Sequence, residues 1–226
     1  MQHFLKKRLA TSRTLVGLSG ALSALWNLLT LHTPGARRRA ARNRAALDRY
    51  AGEGHIQGQS RGAVAALPYG KFTMDYNGCE VIATYNALLT LRAPLPLGAV
   101  AAWYERRGLF LGGRWGTHVL AIPRFFREHG FGEVRMVFAS TARDPGALDA
   151  AFAAAPAGVL SFWNSAGRLR SGVHTVALAH GPSGGLMIDN LYGLDRAPRT
   201  EFGSIRELTE KNGILPILLV TVGGKD

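Results

Sequence analysis

The chain has 226 residues, 47% of them hydrophobic, which suits one folded domain with a sizeable core and excludes a disordered chain. Its single cysteine excludes an intrachain disulfide and a Cys-rich zinc site. The net charge of +12 is uneven: residues 1–50 carry ten Lys/Arg against one acid and residues 51–226 carry 17 against 14, so the basicity belongs to an N-terminal extension.

That extension reads in three parts. "HFLKKRLATSR" is basic, Thr14 to Thr33 runs without a formal charge, and "ARRRAARNRAALDRY" is basic again. Leu15, Leu18, Leu22, Leu25 and Leu29 follow spacings of three and four, which places them on one helix face. An amphipathic helix of this kind packs on its own domain, on a partner protein or on a membrane surface. A membrane anchor and a secretory signal are the other readings. Ser19, Ser23, Asn27 and Thr30 interrupt the apolar run, and no convincing small-residue cleavage site follows it. The Arg37 to Arg44 run is a solvated helix face or a contact for anionic lipid. Nucleic acid is not expected as a partner, because no binding motif and no interleaved aromatics accompany the run. "AGEGHIQGQSRG" (Ala51 to Gly62) is a Gly-rich polar linker, which divides the chain into an extension at 1–60 and a domain at 61–226.

Within the domain, Cys79 to Leu91 has helical periodicity, with Val81, Ile82, Tyr85, Leu88 and Leu89 on one side. "RAPLPLG" breaks it. Gly98 to Arg107 is a second helix and "GLFLGGRWG" a glycine-rich loop. Thr117 to His129 is a third helix, with Thr117 as N-cap and Gly130 as its stop. "EVRMVFA" is a short strand, and Asp144-Pro145 opens a helix reaching about Ala155. Then the pattern changes to strands: "GVLSFWN", "GVHTVALAH", "GLMIDNLYG" and, at the end, "GILPILLVTVG", with turn signals between the first three. Helices first and antiparallel strands after predict an α+β fold.

Cys79 heads its helix after Gly78. The free N–H groups and positive dipole end there favour a thiolate, and Gly78 permits a tight turn and close approach of a substrate. A buried structural cysteine is the other reading. A thiol nucleophile needs a base, and the base needs an orienting group. Of seven histidines, His174 lies inside a strand whose neighbour carries Asp189 and Asn190 among apolar residues. A polar side chain reaching His174 would set its tautomer and ring orientation. No metal-ligand cluster and no phosphate-loop pattern is present in the sequence, so neither a metal nor another cofactor is expected.

A helix-borne Cys, a strand His and an Asn on the next strand resemble, in that order, the papain-like cysteine peptidases. "IDNLYG" is similar to their segment of Asn, aromatic and Gly. The compact size and the stretches "GCEVIATYNALL" and "GTHVLAIPRFFREHGF" resemble most the bacterial C39-type branch. The resemblance covers roughly residues 65–195. It implies a papain-like domain acting on a peptide or amide through a thioester, with Cys79 as nucleophile, His174 as base and Asn190, or else Asp189, as its orienter. Asn77 and the Cys79 N–H are the candidate oxyanion donors in place of the family's Gln, and the resemblance sets Tyr192 where an aromatic residue often shields the Asn. His118, beside the glycine-rich loop, is a candidate for the cleft, and Trp115 is a core or cleft-wall residue. Two positions depart from the branch: Glu80-Val81 follow the Cys where Gly-Pro is usual, and Thr73 stands where a Gln is usual. Water resolving the thioester makes a peptidase or amidase, and an amine makes a transglutaminase-like enzyme. A papain-like shell serving only as a binding module is the non-catalytic alternative. The expected location is the cytoplasm, with the N-terminal helix as a means of attachment to the inner membrane face.

Overall fold

A computed structural model describes residues 11–50, 54–140, 146–167, 172–191 and 199–225. Two helices, α1 (Arg13–Thr30) and α2 (Pro34–Leu47), precede a short turn of helix, α3 (Gly62–Ala65). A two-residue hairpin follows, β1 (Pro68–Tyr69) with β2 (Phe72–Thr73), and then α4 (Met74–Asn77), α5 (Cys79–Thr90), α6 (Leu97–Arg107) and α7 (Ala121–Glu128). The second half contains β3 (Val134–Phe138), α8 (Ala147–Ala153), β4 (Ala157–Trp163), β5 (Val173–His180), β6 (Leu186–Asp189), β7 (Thr200–Phe202), α9 (Ile205–Asn212) and β8 (Leu215–Val222). Strands β3 to β8 form one antiparallel sheet in the order β3-β8-β4-β5-β6-β7. The fold is α+β, as the order of periodicities predicts.

Side-chain alternation along the central strands sorts the core into two layers. Val159, Ala177, Leu218 and Val220 pack with α5, α6 and α7 through Val81, Ala101 and Phe125. Leu160, Phe162, Val176 and Leu178 pack on the other face with Leu148 and Phe152 of α8 and Ile205 and Leu208 of α9. Both faces being covered explains why β4 and β5 read as nearly continuous apolar runs. Ten of the twelve residues of α5 are buried, so this helix is a central one.

Several expectations shift. The third helix starts at Ala121, four residues later than expected, and Thr117 does not cap it. Thr117 instead forms a bridge to Leu109 and shares a hydrogen bond with Tyr69 Oη. The expected Asp144-Pro145 start lies outside the described residues. Helix α9 was not anticipated, although "SIRE" is a capping box in which Ser204 Oγ accepts from the Glu207 N–H at 3.0 Å.

Residues before 61 share the core of the domain. Val16, Leu47 and Ile56 belong to the cluster of α5 and α6. Buried Asn43 of α2 donates to Gly70 O at 3.1 Å and to Glu105 of α6. The segment after residue 54 runs along α5, where Asn86 exchanges two 2.8 Å bonds with the main chain of Ile56.

Candidate functional site

Cys79 is the first residue of α5, and Gly78 joins it to α4. A Cβ at Gly78 would sit 2.5 Å from Met74 Sδ, so the glycine is required by the junction between the two helices. What approaches Gly78 is Met74, not open space for a substrate. Cys79 is buried, at 7% exposure. Its Sγ donates to Glu80 Oε2 at 3.2 Å. Burial raises the thiol well above its ordinary value, and the adjacent Glu80 charge raises it further. The helix N-terminus therefore does not yield a resting thiolate: desolvation and a neighbouring carboxylate outweigh the dipole.

Glu80 stands in the sequence only as a departure from the family pattern, and its place as a proton partner of the thiol is what sequence reasoning missed. It is buried, at 4% exposure, in the first turn of α5, whose only charged residue it is. Its Oε1 accepts from Thr175 Oγ1 at 3.4 Å, and its carboxylate also receives the main-chain N–H groups of Glu80 and Thr117. Desolvation is the largest effect and pushes its pKa up to about 7 against the pull of these hydrogen bonds. Thr175 also meets Ser161 Oγ at 3.0 Å. The signal in the sequence was Glu80 itself, the one charged residue inside "CEVIATYNALLT".

The glycine-rich loop roofs this cluster. Asn77 Nδ2 donates to Gly113 O at 3.0 Å, so this expected oxyanion donor ties down the loop. Gly116 has φ +73, and a Cβ there would lie 3.2 Å from Asn77 O and 3.6 Å from Glu80 Oε2. The loop is held from above by α1: Ser23 Oγ donates to Leu109 O at 3.0 Å, and the Gly112 N–H donates to Asn27 Oδ1 at 3.1 Å. Trp115 is 62% exposed on the outside of the loop. His118 meets Ser19 Oγ of α1 at 3.0 Å, and its burial lowers its pKa to about 4.

His174 is fully buried on β5, directly opposite Phe162 of β4, whose ring meets its own edge-on at 5.7 Å. Alternation puts His174 on the α8–α9 face of the sheet, while Thr175 faces Glu80 and α5. The structure thus places the imidazole and the Cys79–Glu80 pair on opposite faces of β5. The imidazole Nε2 lies 2.6 Å from the main-chain O of Asn190. A carbonyl only accepts, so Nε2 carries the proton. Burial lowers the His174 pKa to about 4, leaving it neutral at pH 7.

The expected orienting role of Asn190 is corrected in its chemistry. Its main-chain carbonyl meets His174, and φ +67 turns it there. Its side chain is engaged elsewhere, accepting the Gln59 N–H at 2.8 Å and donating to Gln59 Oε1 at 3.1 Å. Asp189, the alternative, points to the α5 face as the partner of Ala177 in the β5–β6 register. There it is held by Gln57 and by Arg199, whose Nη2 donates to Oδ2 at 2.9 Å, with His55 Nε2 at 3.9 Å. Tyr192 lies outside the described residues. Among the described residues no group of three or more His, Cys, Asp or Glu is arranged to hold a metal ion.

The arrangement can move a proton between a buried thiol and a buried carboxyl that titrates near neutrality. Compared with family models, with curated proteins and with solved structures, the chain finds no match.

Proposed function

We propose that this chain is a papain-like α+β domain that performs thiol-dependent acyl transfer on a peptide or amide, with Cys79 as nucleophile. The observation that carries the reading is the buried Cys79 Sγ to Glu80 Oε2 hydrogen bond, with Glu80 titrating at about 7. A base works best when its pKa lies near the working pH. The thiol is activated by proton transfer during attack, and no resting thiolate is required. Glu80 takes the thiol proton as sulfur bonds to the carbonyl carbon. The Glu80 proton then passes to the leaving nitrogen as the C–N bond breaks, leaving a thioester. Water or an amine attacks the thioester, loses a proton to Glu80 and releases the acyl group, and the proton returns to sulfur.

A second reading has its own support. A thiol at 7% exposure under a closed loop, with its pKa raised, suits a papain-like binding module in which Cys79 is packing. The pH profile of Cys79 alkylation in the folded chain separates the two, read by mass in wild type, Glu80→Gln and His174→Ala. The enzyme reading expects labelling that rises through about pH 7 and falls roughly tenfold or more in Glu80→Gln. His174 lies on the opposite face of β5, so His174→Ala is expected to label as wild type does, and a fall there with none in Glu80→Gln removes Glu80 as the base. Labelling that requires unfolding, unchanged in both variants, leaves the binding module.

A further inference from the structure

The polar and apolar faces of α1 are exchanged relative to an ordinary surface helix. Its polar residues point inward: Ser23 and Asn27 are buried at 2% and 8% exposure, bonded to the main chain of Leu109, Leu111 and Gly112. Its large apolar residues point outward. Leu18, Leu22, Leu25 and Leu29 are 56–67% exposed, and Trp26 is 49% exposed beside them. On a helical projection these five lie within one stripe, rotated away from the Ser23–Asn27 stripe. A contiguous exposed face of this kind marks a contact surface.

Charge identifies what covers it. Lys6, Lys7, Arg8 and Arg13 lie before or at the start of the helix in sequence, and the exposed Arg37, Arg38 and Arg42 of α2 follow its end. Asp48 is the only acid in residues 1–50. A second copy would bring two such cationic extensions together, and like charges oppose that pairing. No single described helix is long and apolar enough to cross a membrane, and α1 and α2 are bent by 101° at their junction. An apolar helix face between cationic clusters matches a helix lying in the interface of an anionic bilayer.

We propose that α1 docks this chain onto an anionic membrane surface through the Leu18–Leu22–Leu25–Trp26–Leu29 face, with the flanking arginines on lipid headgroups. The face plays no part in the Cys79 cluster, so the proposal stands apart from the acyl-transfer reading.

The test is flotation of the full chain with phosphatidylcholine vesicles, with and without about one-third phosphatidylglycerol. Binding is expected to be at least about tenfold stronger to the anionic vesicles and to weaken as salt rises. Leu22→Glu with Leu29→Glu should abolish it. Arg37→Glu with Arg38→Glu and Arg42→Glu should reduce it about a hundredfold or more while leaving the leucine face intact. All five positions are exposed, and circular dichroism melting checks that each variant folds. Failure of the wild type to float with anionic vesicles overturns the proposal, as does equal flotation of the leucine variant. A wild type with twice the chain mass in solution, made monomeric by the leucine substitutions, assigns the face to a second copy and also overturns it.

Discussion

Glu80 links packing to pH. An exposed carboxyl titrates near 4.5, whereas in the fold burial brings Glu80 to about 7. Between these values the folded state holds a proton that the unfolded state has released. Stability from this group is therefore full below about pH 4.5 and declines as pH rises towards 7, by on the order of 3 kcal/mol. His174 and His118, both lowered to about 4, act with the opposite sign between about 4 and 6.5. The Glu80 contribution is isolated by subtracting the urea stability of Glu80→Gln from that of wild type across pH 4.5 to 8. The difference should fall by on the order of 3 kcal/mol towards the alkaline side. A flat difference would mean that Glu80 is hydrated and titrates as an ordinary surface acid.

At the scale of elements, the loop 108–116 connects α1 to the thiol. Its lower side meets Asn77 and Glu80, and its upper side is held by Ser23 and Asn27. Asn27→Ala leaves the Gly112 N–H without its side-chain partner and Leu109 O with Ser23 alone, a loss of about 1–3 kcal/mol. Loosening the roof by about 1.4 kcal/mol corresponds to roughly tenfold more open loop. Cys79 alkylation in Asn27→Ala should therefore quicken about tenfold at a pH where the protein stays folded. A variant that melts earlier but labels at the wild-type rate would show that the loop is held mainly from below. The same two side chains explain the orientation of α1. Burying Ser23 and Asn27 satisfies main-chain groups of the loop that would otherwise be orphaned, and this outweighs burying leucines the domain has no groove for.

Over the whole molecule, the N-terminal helices act as part of the fold. Leu47 of α2 is 1% exposed and lies in the core cluster of α5 and α6, with Ile56 beside them. Leu47→Ala should cost about 2–5 kcal/mol and lower the midpoint of a single unfolding transition followed by both circular dichroism and fluorescence. Two separated transitions, with only the first moved, would show residues 11–50 unfolding on their own. The composition break at residues 51–62 marks a change of charge. The core continues across it, because Gln57 and Gln59 are bonded to Asp189 and Asn190 on the far strand.

Periodicity determined much by itself. The leucine repeat of α1, the apolar runs of β4, β5 and β8, and the helix beginning at Cys79 all follow from local pattern, and their order is enough for α+β. The short pieces were less legible: α9 carries a capping box but lies between two strands, and β7 has only three residues, too few for a period to register. The site depended on tertiary structure for a different reason. Sequence places Cys79, His174 and Asn190 in an order, but order does not say which face of β5 a side chain leaves from. That was decided by the register pairing His174 with Phe162 and Thr175 with Ser161. The same register turned Thr175 towards Glu80, which chain adjacency on α5 already set beside the thiol, and burial there set both protonation states. A leucine stripe likewise states that one face of α1 is apolar. Only the packed loop, with its main-chain groups in need of partners, decided that the polar face turns inward.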